Sequence, residues 1–357
     1  MNLKSSLFFL IAILISGYAS AQEWVPVGGG INSEFKDQHN NIYDMLEYEG
    51  ELYAVGSFTK VAGISMNYIA KWNGGEWSVV GDGLNAMASS LCIYKGELMV
   101  SGWFTKAGSV NVNHIAAWNG KEWHAVGSGF DSHPNDLVIY KDELYAGGEF
   151  STADGKPARN IAKWNGKNWS ALGKGVDVIS VMAVYKDLLY TSGWAMDNGS
   201  EGINMWDGMK WLKGGYDVVG VPNSMIVYKD DLYFGGYFPH KGKKRETCIY
   251  RFDGKSWLNT GSKGTDGHIY SMLEYDGVLY TAGFFTEAEG LKANNIAKWD
   301  GEKWMSFMPG VNFHPHALVM YNGYLYAGGG YSSSESGEIN KTMIARFQME
   351  EIFDIIR

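Results

Sequence analysis

The chain has 357 residues, a net charge of −9 and two cysteines. The acidic balance argues against nucleic acid or an anionic membrane as a partner, and two cysteines are too few to staple a small disulfide scaffold. Length alone suggests two or more domains, but an internal repeat overrules that reading.

The N-terminal residues read as an export signal. Lys4 gives a basic start, residues 7–15 an apolar run, and Ala19-Ser20-Ala21 a small-residue cleavage site, so residues 1–21 are expected to be removed. The apolar run is too short to cross a bilayer comfortably, and no later segment is apolar enough to do so. The mature chain then carries 29 basic and 39 acidic side chains, a balance of −10.

Seven copies of one unit follow. Their anchor tryptophans are Trp24, Trp77, Trp123, Trp169, Trp211, Trp257 and Trp304, and after the first interval they recur every 42 to 47 residues. A period of this size with four strand signals predicts a radial array of four-stranded blades. The third unit is the clearest. Residues 137–140 form an apolar strand a, residues 141–143 a polar turn, and residues 144–148 strand b. A long polar loop, residues 151–159, precedes strand c at residues 160–164. Asn165-Gly166 is a hairpin turn, and residues 168–173 form strand d.

Strand a ends in tyrosine in every unit: Tyr48, Tyr94, Tyr140, Tyr185, Tyr228, Tyr275 and Tyr321. The residues before these tyrosines are mostly apolar, which predicts a strand buried on both faces at the inner edge of each blade. Trp pairs such as Trp164 and Trp169 are expected to face each other on strands c and d as packing. Gly102, Gly148 and Gly236 are expected at bulges or close approaches in strand b. Cys92 and Cys248 fall on non-adjacent blades, which predicts two free, buried thiols.

Strand counting predicts how the ring closes. Residues 23–28 match a strand d yet precede the first strand a, and the last unit loses the motif after its strand c at residues 344–347. The expected fold is therefore all-β: a seven-bladed β-propeller of four-stranded antiparallel blades, with the N-terminal strand as strand d of the last blade. Pro26 suits an outermost strand, which tolerates a missing N–H. Residues 352–356 are the competing closure. The domain reading is a signal peptide over 1–21, the propeller over 22–348 and a tail over 349–357.

The motif behind this reading is IAKWNGGEWSVVG from Ile69, IAAWNGKEWHAVG from Ile115 and IAKWNGKNWSALG from Ile161, followed by L-Y-x-x-G-x-F, as at residues 144–150. It resembles the repeats of secreted bacterial propellers and of fungal cortical bud-site marker ectodomains, which are grouped with kelch and galactose oxidase propellers. The likeness covers about residues 23–347. The spaced aromatic pair is Trp–Trp here and the double glycine is intermittent, both departures from kelch. The resemblance implies an extracellular or surface-associated role and leaves activity open. No copper-binding Tyr/Tyr/His/His set and no thioether-forming Cys–Tyr pair can be aligned.

Loop lengths point to the working face. Turns a–b and c–d are short and uniform, whereas loops b–c and d–a are long and variable. Function usually sits on variable loops held by a rigid scaffold. One column on that face closes strand b: Ser57, Trp103, Glu149, Trp194, Tyr237, Phe284 and Gly330. Aromatic residues beside a carboxylate suit stacking on sugar rings or anchoring a protein; the structural alternative is packing against neighbouring loops. A second column leads into strand a at the channel mouth, with Tyr43, Asp44, Asn135, Asp136, Asn223, Tyr270 and His316 among short polar groups. It would bind a polar ligand or hold water.

Two further clusters carry enzyme readings. His268, His314 and His316 would make a zinc or copper site, while His133 lies across the ring. Glu47 and Glu274 would make an acid–base pair, against which stands their place near the short-turn end of the channel, as solvated lining. The leading expectation is an exported, secreted, surface or periplasmic binding or scaffold propeller without catalytic residues, cofactor or metal. It is expected to be a monomer that recognises a glycan or an extracellular protein. The alternative is a polysaccharide-cleaving or copper-dependent oxidase-like propeller enzyme with its site at the channel mouth.

Overall fold

The computed structural model describes residues 23–29, 31–32, 41–194, 202–212, 221–238, 249–259, 264–307, 309–330 and 343–349. The export signal, Cys248 and the competing closure at 352–356 lie outside them. Seven four-stranded antiparallel sheets are stacked side by side. Strands a run Ile42–Tyr48, Ala88–Tyr94, Pro134–Tyr140, Val178–Tyr185, Val221–Tyr228, His268–Tyr275 and His314–Tyr321. Each touches the strands a of the blades on either side, and blade seven touches blade one. The chain is a seven-bladed propeller.

Blade seven takes its outer strand from the other end of the chain. Val25–Pro26 pairs with Ile344–Gln348, Val25 opposite Arg346 and Pro26 opposite Ala345. Trp24 packs on Phe347 and Phe307, at 5.6 and 6.0 Å between ring centroids.

Apolar clusters lie between blades rather than within them. One joins Ile42, Leu52 and Trp72 of blade one to Tyr326 and Ile344 of blade seven. Burying one large apolar side chain contributes about 1.5–3 kcal/mol, and a lone blade would leave both of its faces wet.

Three rings of hydrogen bonds, each incomplete, lock neighbouring blades; among the described residues the Trp77 and Trp257 indole N–H groups and the Tyr94 hydroxyl are buried without a protein partner. At the rim, the indole N–H of strand d donates to the preceding blade: Trp123 to Val80 O, Trp169 to Val126 O and Trp211 to Leu172 O, at 3.3, 2.9 and 3.0 Å. The strand c tryptophan faces the strand d one directly, as Trp164 faces Trp169. Gly127 is required beside this pair: its φ is +63° and a Cβ there would sit 2.9 Å from the Trp164 ring.

On the short-turn face the strand a tyrosines donate to the next blade's a–b turn. Tyr140 reaches Asp187 O, Tyr185 reaches Asp230 O, and Tyr321 reaches Gly50 O across the ring closure, at 2.7 to 2.9 Å. The following lysine extends the clasp: Lys141 and Lys186 donate to Asp207 O and Asp253 O in the next blade's c–d turn. Those turns are themselves fixed by their first side chain, as Asn119 Oδ1 accepts from the N–H groups of Lys121 and Glu122.

The third ring lies at the channel. Every strand a carries a bulge near its start, where one extra residue stands opposite strand b. The strand b glycine makes room for it: a Cβ on Gly148 would lie 2.5 Å from His133 O and Pro134 Cα. The close approach expected of this glycine is present, but the extra residue belongs to strand a.

Strand a is not buried on both faces, as its composition suggested. It alternates between buried residues and half-buried ones, with Ile93 and Val227 exposed, because its inner side lines the channel. Loops b–c also hold more order than expected. In blades one, two, three and six they fold into a two-residue hairpin, such as Lys106–Ala107 with Val110–Asn111. These hairpins pair with the segment entering the same blade, as Ala107 does with Leu84.

Cys92 is a free thiol in strand a of blade two, and burial pushes its pKa up to about 12. Among the described residues no helix is long and apolar enough to cross a membrane.

Candidate functional site

The bulge explains why the channel mouth has a distinctive lining. Bulges re-aim side chains, and here the extra residues are Tyr43, Ser89, Asn135, Ser180, Asn223, Tyr270 and His316. One arc of the mouth is aromatic. The rings of Tyr270 and His316 stack at 4.3 Å with a 5° tilt, and Tyr43 meets His316 edge-on at 6.1 Å. Burial, helped by His314, lowers the His316 pKa to about 4, so the imidazole is neutral at pH 7. The other arc is short and polar: Ser89, Asn135 and Ser180.

The residue after each bulge has a different role. Asp44 Oδ1 accepts from Met45 N–H and its Oδ2 from Leu91 N–H of the next blade, both at 2.8 Å. Asp136 repeats this with Leu137 and Met182, at 2.8 and 2.6 Å, and also accepts from Ser90 at 3.4 Å. In blade six the hydroxyl oxygen of Ser271 accepts from Leu318 N–H. Asp44 and Asp136, expected as ligand contacts, are therefore engaged in holding blades together. Burial raises their pKa values to about 7 and about 6, against the opposing pull of these hydrogen bonds.

A cavity of about 380 Å³ opens at the mouth between blades one and four. Tyr43, Met87, Ala88, Ser89, Trp103, Asn135 and Ser180 line it. Of the expected residues it gathers Tyr43, Trp103 and Asn135. Trp103 is 50% exposed, and one face of its indole is covered by His133, with centroids 3.8 Å apart and a 20° tilt. His133 is only 6% exposed, and burial lowers its pKa. Sequence alone offered His133 only as an outlying metal candidate. The missed signal is pairwise: an aromatic residue closing strand b meets a histidine entering the next blade. Phe284 and His314 repeat it between blades six and seven at 4.2 Å.

The other expected residues are dispersed. Glu149 is exposed and lines a neighbouring cavity of about 800 Å³ with Asp131, Arg159 and Lys174. Asn223 donates across to Ile269 O. Ser57 is buried and accepts from Asn41 N–H. The side chains of Trp194 and Tyr237 lie outside the described residues. Glu47 and Glu274 are exposed, and Glu274 accepts from Gly277 N–H within its own turn. Among the described residues no group of three or more His, Cys, Asp or Glu side chains is placed to hold a metal ion.

The fold and this mouth define a β-propeller repeat protein. No protein-family model matches the chain, and no curated protein matches its sequence. Among solved structures it is similar to the WD40 β-propeller domain of Doa1, at 13% identity with a TM-score of 0.55, covering 90% of this chain and 97% of that one. The computationally designed Ika8 protein is similar at 11% identity and a TM-score of 0.52, covering 90% and 100%. At such identities the likeness is one of fold.

Proposed function

We propose that this is an exported binding propeller without catalytic activity, recognising a glycan or an extracellular protein through its b–c and d–a loop face. The repeat motif supports kinship with the kelch and galactose oxidase propellers of secreted proteins, and residues 1–21 support export. The short-turn face is engaged in Tyr and Lys clasps between blades. Asp44 and Asp136, carboxylates at the mouth, each accept two backbone N–H groups, one on each oxygen. The observation that carries the reading is Trp103, a half-exposed indole backed by a buried histidine at the rim of a cavity. A rigid, partly wet aromatic ring is a typical binding anchor.

The test sets two double variants beside the native protein, on arrayed glycans and in capture of purified extracellular proteins. Trp103→Ala with Phe284→Ala is expected to abolish binding. Lys121→Ala with Met209→Ala, on the opposite face, is expected to leave it intact. Binding lost only in the second variant, or substrate turnover without a stable complex, would refute the proposal.

A further inference from the structure

The mouth cavity between blades one and four has a composition that selects among ligands. Resting on the binding reading above, we infer that it is a subsite for a neutral sugar ring, with Trp103 as the stacking platform. Three observations converge. The lining contains no Asp, Glu, Lys, Arg or His side chain, so nothing in it offers an ion pair to a charged ligand. Its large side chains with apolar faces are Trp103, Tyr43 and Met87, which suits a ligand with one apolar face. Three of its polar groups are still available, whereas the Ser89 hydroxyl is engaged with Pro134 O at 2.9 Å and Ser101 O at 3.3 Å. Among the described residues the hydroxyls of Tyr43 and Ser180 make no hydrogen bond to protein. Asn135 uses only Nδ2, donating to Ile179 O at 2.8 Å, which leaves Oδ1 to accept.

A pyranose matches this set. Its axial C–H groups form the apolar face, and its equatorial hydroxyls both donate and accept at the edge. A buried peptide side chain fits less well: an apolar anchor would leave three polar groups unpaired, and a charged one would find no counter-ion. The cavity volume lies at the small end of the range of ligand pockets, about 300–1,000 Å³, which fits one or two rings of a longer chain. The covered face of Trp103 fixes the indole plane before the ligand arrives, so little ordering is left to binding.

The experiment uses full-length protein labelled with 5-fluorotryptophan, its Trp103 resonance assigned through Trp103→Phe. The probes are neutral hexasaccharides (β-1,4-glucan, α-1,4-glucan, β-1,4-mannan and β-1,4-xylan), with an oligogalacturonate as the charged comparator. At least one neutral series is expected to shift the Trp103 resonance at up to about 10 mM. Trp103→Ala is expected to weaken it at least tenfold, Asn135→Ala and Ser180→Ala several-fold, and the uronate to bind more weakly than its neutral counterpart. Because Trp103 is half-exposed, its variant is expected to keep the native thermal midpoint, which separates lost binding from lost folding. No response of Trp103 to any neutral sugar, or equal binding by Trp103→Ala, overturns the inference. A protein ligand lost in Trp103→Ala while every sugar is silent overturns the sugar assignment and leaves the binding face standing. Ligands lost only through the opposite face remove both.

Discussion

The imidazole of His133 lies against the indole of Trp103, with ring centroids 3.8 Å apart. The histidine belongs to the segment entering blade three and the tryptophan closes strand b of blade two, so the contact crosses between blades. Its consequence is rigidity at the mouth rather than stability, since half of Trp103 remains in water. His133→Ala is expected to free the indole: the heteronuclear NOE of the Trp103 Nε1–H should fall toward that of a mobile side chain. The thermal midpoint should drop only modestly, His133 being a small buried contact and not a core aromatic. An unchanged NOE would show that some other contact holds the ring.

Asp44 predicts an unusual dependence of stability on pH. Its pKa is raised to about 7 in the folded chain by burial, and that of Asp136 to about 6, whereas unfolded aspartates titrate near 3.9. The folded state thus binds more protons than the unfolded state between these values. The stability each group contributes is complete below the unfolded pKa and is lost as pH rises through about 6 to 7. Asp44→Asn removes one titration but also one of two acceptors, because its amide nitrogen would confront either Met45 N–H or Leu91 N–H. The variant should be less stable at pH 4.5 by about 1–3 kcal/mol, the cost of an unsatisfied buried group, and the gap should narrow toward pH 8. Urea unfolding of both proteins across that range checks it; a gap that widens with pH would reverse the assigned direction.

The architecture was legible because it is periodic and the site was not because it is made of exceptions. The Trp pairs, the Asn-Gly turns and the tyrosine ending each strand a recur in register, and each does the same job in several blades, clasping or capping. The glycines of strand b marked where the bulge falls, but the residue it turns out could not be read, since the extra residue lies in strand a and has no fixed type: Tyr43, Ser89 and Asn135 occupy the same place. For the same reason Asp44 and Asp136 read as ligand contacts. That a carboxylate would catch a backbone N–H of the next blade depends on where the bulge turns that N–H. His133 was visible as a repeated position, but its partner lies in the preceding unit, about thirty residues away in the chain.

Tyr321 tests whether the ring closure is equivalent to the other blade junctions. Its hydroxyl donates to Gly50 O of blade one, as Tyr140 donates to Asp187 O between blades three and four. Tyr321→Phe and Tyr140→Phe each remove one hydrogen bond and leave the ring in place, so each should cost about 0.5–1.5 kcal/mol. The two losses should be similar when measured by urea unfolding. A neutral Tyr321→Phe beside a costly Tyr140→Phe would mean that blade seven and blade one part in solution.

The outer strand of blade seven gives the sharpest test of the wheel. Val25 and Pro26 cover the edge of Ile344–Gln348, Val27 donates from its backbone to Ile344 O, and Trp24 lies on Phe347. Deleting residues 22–28 would strip the partner from a strand whose inner neighbours are already paired. An uncovered edge of this kind recruits another chain, so the truncated protein should dimerise or aggregate, which light scattering would detect. Trp24→Ala is milder. It keeps the backbone pairing and removes a half-buried indole, so the loss should fall at or below the low end of the ~3–5 kcal/mol seen for buried aromatic truncations. Proline at position 26 costs little, because an outermost strand has one side without a partner. Replacing Pro26 by Val restores an N–H there and should leave the thermal midpoint nearly unchanged. A truncated chain that stays monomeric with the native unfolding midpoint would show that blade seven stands with three strands.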